Sequence, residues 1–527
     1  MAEESTLAVL QKRWESVCKV LFKANLGSME DYSEWLGRDN EKSIREKSSV
    51  SEKEVCLFVP YPKNAKYVSF DEVEKIPESK PLSINDIKDI DSLVSSLSES
   101  FYYSGNVVLG NSGHVEKSSN IGDSFYMYET GRLNDSRYIG YSTLGRLNQD
   151  CFGCNGIGES QFCVKCYETF RDRRCFELWM GQRCSDCFYS HNLSSCQDCF
   201  FCFNLKNTRH AIGNLKLTSD KYNSIKAHLI SQIAEELKRN KRIPSLIEIV
   251  GKAPLEKPAY SGQLPEQTEA SDKKSIEEAF SKTAQVLFGK PLSFGMDSCN
   301  SWLQNNLHAQ ETCTSAFSGK PVYRWDYSCY FKLPKNRLLK ESEAQAIGPT
   351  LKLSAKEIEG IALSNAHERI GKIAFFTPEY YDGANYNLIE CATSTESMNC
   401  YRSSPIIFSK YCGYTFWPRT TSYVFGCDSI LDSVCCINCY NSVKLNRCFE
   451  LYLCRDCSDV YFSHNCENVH QSMFCFNTKN KKYAIGNKEF APDEYAKIKS
   501  MLLGRIAGEL EAKKEVKYSV FNIGSRN

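Results

Sequence analysis

The sequence predicts an α+β fold made of two tandem copies of one unit, each with a helical N-terminal region and a parallel β-solenoid capped by an amphipathic helix. Three observations lead to this prediction. The chain aligns with itself at a shift of 273 residues. Cysteine recurs every 12 residues within each copy. Each cysteine-rich region is followed by apolar residues three and four positions apart, the spacing of one helix face.

The duplication is clearest in the cysteine-rich regions. Residues 199–214 read CFFCFNLKNTRHAIGN and residues 472–487 read SMFCFNTKNKKYAIGN, with ten of 16 positions identical. The same shift aligns RCFELW with RCFELY, and no gap is needed from residue 138 to 214. Upstream the shift drifts from 266 to 273, and Trp35-Leu36 there faces Trp302-Leu303. Such self-similarity indicates one unit written twice.

The duplication divides the chain into five parts. We predict a helical or mixed region at 1–102, a cysteine-rich β-solenoid with its capping helix at 103–245, a linker at 246–273, a second helical or mixed region at 274–378, and a second β-solenoid with its capping helix at 379–527. The linker is rich in proline and polar residues and lacks apolar periodicity. The helices that we expect to cover the open ends of the solenoids are predicted from two matching stripes: Tyr222, Ile225, Leu229, Ile233 and Leu237, and Tyr495, Ile498, Leu502, Ile506 and Leu510.

The 12-residue period predicts stacked strands. Cysteine opens five consecutive blocks, at Cys151, Cys163, Cys175, Cys187 and Cys199. The blocks favour Phe, Tyr, Val, Ile and Cys, interrupted by Gly, Asn, Asp and Ser, which is typical of short strands and turns. One turn of the solenoid has 12 or 24 residues. The many aromatic residues favour 24, because a 12-residue turn encloses little room for rings.

Eight of the cysteines have the spacing of zinc ligands. Two quartets have the form CxxC-x8-CxxC, and four thiolates in paired turns match tetrahedral structural zinc. The quartets are Cys151, Cys154, Cys163 and Cys166, and Cys184, Cys187, Cys196 and Cys199.

The duplication favours packing over zinc. Ten cysteines between residues 151 and 202 have counterparts in the second copy, and six of these remain cysteine. The other four counterparts are Val424, Val460, Val469 and Ser472. Exchange with apolar residues is typical of a small buried hydrophobe and not of a metal ligand. Our preferred interpretation therefore has no metal and no cofactor, and zinc held by the eight cysteines is the alternative.

Composition excludes several classes of partner. Lys and Arg number 65 against 64 Asp and Glu, so no overall field attracts nucleic acid or anionic lipid. No stretch approaches 18 apolar residues, so we expect no membrane-spanning helix. The N-terminal segment MAEESTLAVLQKRWE lacks the pattern of a secretory signal peptide. We expect a reducing, cytoplasmic location or assembly into a particle.

Few residues are candidates for chemistry. Ser190-His191-Asn192 recurs as Ser463-His464-Asn465, and a Cys/His pair would need a thiolate, a base and an orienting group in one cleft. Turn or hydrogen-bonding roles account for the histidines equally well. Glu177 and its counterpart Glu450 have no second carboxylate at matching spacing. We predict no catalytic and no cofactor-binding residue. We predict left-handed or turn positions for Asn204, Asn207, Asn214, Asn477, Asn480 and Asn487.

The ladder resembles a known type of sequence. FCFNLKN, AIGN and DKYNSIK in the first copy, with FCFNTKN, AIGN and DEYAKIK in the second, resemble uncharacterised cysteine-rich 12-residue-repeat proteins predicted from environmental bacterial and viral genomes. The resemblance covers about residues 150–230 and 423–500 and not the helical regions. It implies no known activity. It does imply a viral or mobile-element origin, where duplicated rigid domains serve as structural or attachment parts.

Together these features predict a non-enzymatic structural or protein-interaction scaffold, compatible with a virion component, that binds protein partners or assembles with itself. A zinc-containing nucleic-acid-binding module is the first alternative, although nucleic acid is disfavoured by the charge balance. A cysteine-dependent hydrolase or redox enzyme is the second.

Overall fold

The computed structural model describes residues 4–58, 64–77, 82, 87–256, 260, 262, 272–327, 330 and 332–525. The predicted linker lies partly outside these residues. Strands β1 and β2 pair antiparallel, whereas β3 and β4 pair in parallel. The elements of the first region are α1 (Thr6–Phe22), α2 (Ser33–Gly37), β1 (Ile44–Lys47), β2 (Glu54–Leu57), β3 (Lys66–Ser69), α3 (Ile90–Leu97) and β4 (Tyr102–Gly105).

The cysteine-rich part of the first half forms a sheet of short strands, called here the first sheet. Its strands are β5 (Val108–Leu109), β6 (Gly113–Glu116), β7 (Ser119–Gly122), β8 (Phe125–Tyr128), β9 (Gly131–Asn134), β10 (Arg137–Gly140), β11 (Thr143–Arg146), β12 (Gln149–Phe152), β13 (Asn155–Gly158), β14 (Gln161–Val164), β15 (Tyr167–Phe170), β16 (Phe176–Gln182), β17 (Ser185–Ser194), β18 (Gln197–Phe200), β19 (Phe203–Lys206), β20 (Arg209–Ile212) and β21 (Leu215–Lys216).

Helices and one hairpin connect the two sheets. They are α4 (Ser219–Asn240), α5 (Leu246–Gly251), α6 (Lys274–Phe288), α7 (Asn300–Gln304), β22 (Gln310–Thr314), β23 (Pro321–Trp325), α8 (Glu341–Ile347), α9 (Ala355–Glu359) and α10 (Ala366–Arg369). Helix α5 therefore occupies the beginning of the segment predicted as a linker.

The strands of the second half form the second sheet, which is followed by α11 (Pro492–Lys513). These strands are β24 (Tyr380–Asp382), β25 (Tyr386–Ile389), β26 (Thr393–Thr395), β27 (Met398–Tyr401), β28 (Ile406–Ile407), β29 (Lys410–Gly413), β30 (Ser422–Phe425), β31 (Asp428–Leu431), β32 (Val434–Tyr452), β33 (Arg455–Glu467), β34 (His470–Met473), β35 (Phe476–Lys479), β36 (Ala484–Ile485) and β37 (Lys488–Glu489).

The 12-residue period of the sequence is the register of both sheets. Cys151 pairs in parallel with Cys163, and Cys187 pairs with Cys199. In the second sheet Cys400 pairs with Cys412. The expectation of 24 residues is therefore wrong.

Side chains on the inner face of each sheet recur at every third residue, and they are small. From Cys151 the buried series in the first sheet begins Cys151, Cys154, Ile157, Ser160, Cys163, Cys166, Thr169, Asp172, Cys175 and Leu178. The residue before each inward position has left-handed backbone, for example Asp150 (φ 56°) and Phe162 (φ 55°). The predicted left-handed Asn204, Asn207 and Asn214 are confirmed at this type of position, as are Asn477, Asn480 and Asn487.

The aromatic residues lie on the outer face, which is why a 12-residue register suffices. Phe152, Phe176, Phe188 and Phe200 follow inward positions and belong to the cluster beneath α1 and α4. The rings of Phe176 and Phe22, the last residue of α1, lie 5.0 Å apart. In the second half Phe449 contacts Phe288 of α6 in the same way, at 5.1 Å. The sheet and its helices therefore share one apolar layer.

The predicted fold class is wrong. We predicted α+β, with two parallel β-solenoids each capped by an amphipathic helix, whereas the fold is mixed α/β and its parallel strands form a nearly closed, barrel-like sheet. The physical reason is the outward aromatic face. That face must be covered by helices along the length of the sheet, so helices and strands are not segregated.

The predicted amphipathic helices form but do not cap the sheets. Helix α4 buries Tyr222, Leu229 and Leu237, and it runs beside the outer face, where Lys226 pairs with Asp198 at 3.0 Å. Helix α11 begins at Pro492, as predicted. The C-terminal end of the first sheet is instead covered by the other half: the amide of Leu353 donates to Gly213 O at 2.9 Å.

The two halves exchange segments. The apolar cluster around the first sheet includes Trp325, Leu338 and Phe376 of the second half. The cluster around the second sheet includes Leu93 and Tyr103 of the first half. Each half therefore completes the core of the other.

Candidate functional site

The eight cysteines predicted as alternative zinc ligands all lie on the inner face of the first sheet. Each is at most 2% exposed. The two quartets are brought together as the spacing requires, because each occupies two adjacent inward columns on two successive steps of the 12-residue register. They share one apolar cluster with Ile, Leu and Met side chains.

The thiols are engaged with the backbone. Cys187 Sγ donates to Ser185 O at 3.3 Å and to Cys196 O at 3.7 Å. Cys184 does the same with Gln182 O and Leu193 O, at 3.4 and 3.3 Å. Burial raises the pKa of the Cys184 thiol to about 12 and that of the Cys187 thiol well above its usual range. A nucleophile or metal ligand must be a thiolate, and this environment favours the thiol.

Among the residues that the structure describes, no group of three or more His, Cys, Asp and Glu side chains is arranged to hold a metal ion. Zinc at the eight cysteines remains an untested alternative. The inner face also holds the carboxyl of Asp172, whose Oδ1 accepts from the amide of Cys184 at 2.6 Å. Burial raises the pKa of Asp172 well above its usual range. A Cβ at Gly181 would lie 2.3 Å from Asp172 Oδ2, so the glycine makes room for this carboxyl.

Valine should replace the inward cysteines at little cost. Cys187 corresponds to Val460 and Cys196 to Val469, so Cys187→Val and Cys196→Val are expected to lower the free energy of unfolding by less than about 1.5 kcal/mol each. Thermal and denaturant unfolding of the full-length chain measure this. Cys187→Asp is the contrast, because an unpaired buried carboxyl is costly. Collapse of the valine variants with release of zinc would show instead that the thiols hold metal, since structural zinc contributes on the order of 10 kcal/mol.

The two recurring histidines join the halves. His191 Nε2 accepts from the amide of Thr377 at 2.9 Å, and His464 Nε2 accepts from the amide of Ser104 at 2.9 Å. Both imidazoles are fully buried. Burial lowers the pKa of each to about 3, so both rings are neutral at physiological pH. Their geometry is that of fixed acceptors for a docked segment.

Two asparagines repeat this reciprocal contact. Asn204 Nδ2 donates to Phe375 O at 2.9 Å, and Asn477 Nδ2 donates to Tyr102 O at 2.7 Å. The four contacts are related by the same shift of 273 residues. The C-terminal end of each sheet therefore binds the backbone of the other half's segment through one histidine and one asparagine.

The two recurring glutamates hold the segments that follow the long helices. Glu177 Oε2 accepts from the amide of Leu246, at the start of α5, at 2.9 Å. Glu450 Oε2 accepts from the amide of Val520 at 2.8 Å. Burial raises the pKa of both carboxyls to about 7. These glutamates are buried and hydrogen-bonded, and neither has the second carboxylate that acid–base catalysis by a pair requires.

Surface aromatic rings of the first sheet stack on each other. His114 and Tyr126 are 4.3 Å apart with their planes 4° from parallel, and Tyr126 and Tyr138 are 5.2 Å apart. The Arg13 guanidinium lies 4.5 Å from the Tyr138 ring. Bases of a single strand bind by stacking on ring faces, and here those faces are largely occupied by neighbouring side chains.

The second sheet presents exposed apolar side chains in a line. Tyr386, Met398 and Val434, called here the apolar column, are 67%, 44% and 41% exposed. They share one register column with Lys410 and Ser422. The column extends over roughly 19 Å, because parallel strands lie about 4.8 Å apart. The corresponding column of the first sheet carries Gly113, Phe125, Arg137, Gln149 and Gln161.

In the part of the chain that the structure describes, no helix is both long and apolar enough to span a membrane. Comparison of the chain with protein-family models, with curated proteins and with solved structures found no match.

Proposed function

We propose that this chain is a non-enzymatic scaffold that binds a protein, either a partner or a second copy of itself, through the apolar column. The observation that carries the proposal is the exposure of Tyr386, Met398 and Val434 in one column of a sheet. Contiguous exposed apolar side chains on a folded protein mark interaction sites. The groups best suited to chemistry are otherwise engaged: the inward thiols, His191 and Glu177 are buried and bonded to backbone. A role within a particle is compatible with this proposal.

The test changes the column without touching the core. The triple variant Tyr386→Lys, Met398→Lys, Val434→Lys should fold like the wild type, because these side chains are exposed. It should weaken binding by roughly a hundredfold or more, since charged groups replace apolar contacts at the centre of an interface. The measurement is light scattering for self-association, and crosslinking in the producing cells from a photoreactive residue at Ser422.

The first sheet supplies the control. Gln149 occupies the position that corresponds to Ser422, so a photoreactive residue there should give no discrete crosslinked product. Equal crosslinking from both positions, or crosslinking from Ser422 that survives the triple lysine variant, would contradict the proposal.

A further inference from the structure

A cluster of titratable and charged side chains lies where the two halves meet. Glu41 and Arg132 come from the first half, and His308 and Asp428 come from the second. Arg132 forms an ion pair with Glu41 and a second, at 3.8 Å, with Asp428. His308 Nε2 lies 3.7 Å from Glu41 Oε1. Arg132 and Asp428 are buried, so the cluster is largely shielded from water.

Glu41 and His308 are the same position in the two copies. Trp35-Leu36 aligns with Trp302-Leu303 at a shift of 267, and the same shift relates residue 41 to residue 308. Equivalent residues touch each other only near the axis that relates the halves. Two identical halves would bring two glutamates or two histidines together there. The present chain instead places an acid against a base, which favours pairing of unlike halves.

The protons of His308 follow from its contacts. Nδ1 lies 2.8 Å from Asp326 O, and a carbonyl oxygen only accepts, so Nδ1 carries a hydrogen. In the neutral ring Nε2 is then a lone pair directed at the Glu41 carboxylate, which is repulsive. In the protonated ring Nε2 becomes a donor to that carboxylate.

The other groups that face the imidazole are the rings of Tyr327 and Phe416, at 5.2 and 4.5 Å, together with Asp428 and Arg132. Burial lowers the pKa of His308, but the hydrogen bond to Glu41 and the charges of Asp428 and Glu41 outweigh burial and the opposing charge of Arg132. The pKa of His308 is therefore raised. Burial raises the pKa of Glu41, but Arg132 and His308 outweigh it and the pKa is lowered.

We propose that Glu41 and His308 form a proton-dependent lock between the two halves of the chain. Because the folded-state pKa of His308 is raised, its stabilisation is complete below the ordinary value of 6.5 and is lost as pH rises through the folded-state pKa. Because the pKa of Glu41 is lowered, its stabilisation is present above the ordinary 4.5 and is lost as pH falls through the folded-state pKa. The contact is strongest between these two ordinary values.

A double-mutant cycle on the full-length chain tests the lock. Wild type, Glu41→Gln, His308→Gln and the double variant are unfolded in denaturant at about pH 5.5 and about pH 8.5, on either side of the ordinary histidine pKa. We expect a coupling of roughly three- to tenfold in the unfolding equilibrium constant at the lower pH and none at the higher. The separate titration of Asp428, whose pKa burial raises, cancels in the cycle.

The exposed pair His367 and Glu368, 3.9 Å apart, is the matched control and should show no such coupling. Equal coupling at both pH values, or none at the lower, would overturn the proposal. Should a variant fail to fold, titration of the His308 resonance in the isotope-labelled wild type decides. A midpoint above 6.5 supports the lock, and a midpoint at or below 6.5 contradicts it.

Discussion

Replacing His191 or His464 by alanine is expected to lower the free energy of unfolding by about 3–5 kcal/mol. Removing a buried ring leaves a cavity, as in Phe→Ala substitutions. It also leaves the buried amide of Thr377 or Ser104 without its acceptor, which adds to the loss. Denaturant unfolding of the full-length chain measures both variants.

The duplicated design provides internal checks on this expectation. The two variants should behave alike, because the two contacts have the same geometry. Both costs should be constant above about pH 5, since the pKa of each ring is about 3. His228→Ala, on the exposed side of α4, should change stability by less than about 0.5 kcal/mol. A loss below about 1 kcal/mol for either His191→Ala or His464→Ala would show that the exchanged segments are not held as described.

The sequence was sufficient to predict the duplication, the 12-residue register and the amphipathic helices. Each of these is carried by residues close together in the chain, such as Cys151 and Cys163 or Tyr222 and Leu229. The left-handed asparagines were predictable for the same reason, because asparagine tolerates that backbone locally.

The three-residue spacing of inward side chains was present in the sequence and was missed. Cys151, Cys154, Ile157 and Ser160 are all small enough for a narrow interior, but their chemical variety hides the period. Attention to cysteine alone led to the zinc spacing, and attention to phenylalanine alone led to a 24-residue turn. A search for small side chains at every third position would have placed the rings outside.

What covers each sheet could not be predicted from the sequence. An amphipathic stripe shows that a helix face is buried but not against which partner, so α4 and α11 were assigned to the sheet ends. The segments that cover those ends, near Leu353 and near Leu97, lie in the other half of the chain. For the same reason the contact of Glu41 with His308 was not anticipated, although their equivalence in the alignment was available.

The most direct test of the account is whether the halves remain together once the chain is cut. A protease site is inserted within residues 263–271, and the folded full-length protein is cleaved and analysed by size-exclusion chromatography with light scattering. Because each apolar cluster contains residues of both halves, we expect the fragments to co-elute with the mass of the uncut chain and to separate only in denaturant. Two fragments that elute separately as folded monomers in native buffer would contradict the exchange of segments.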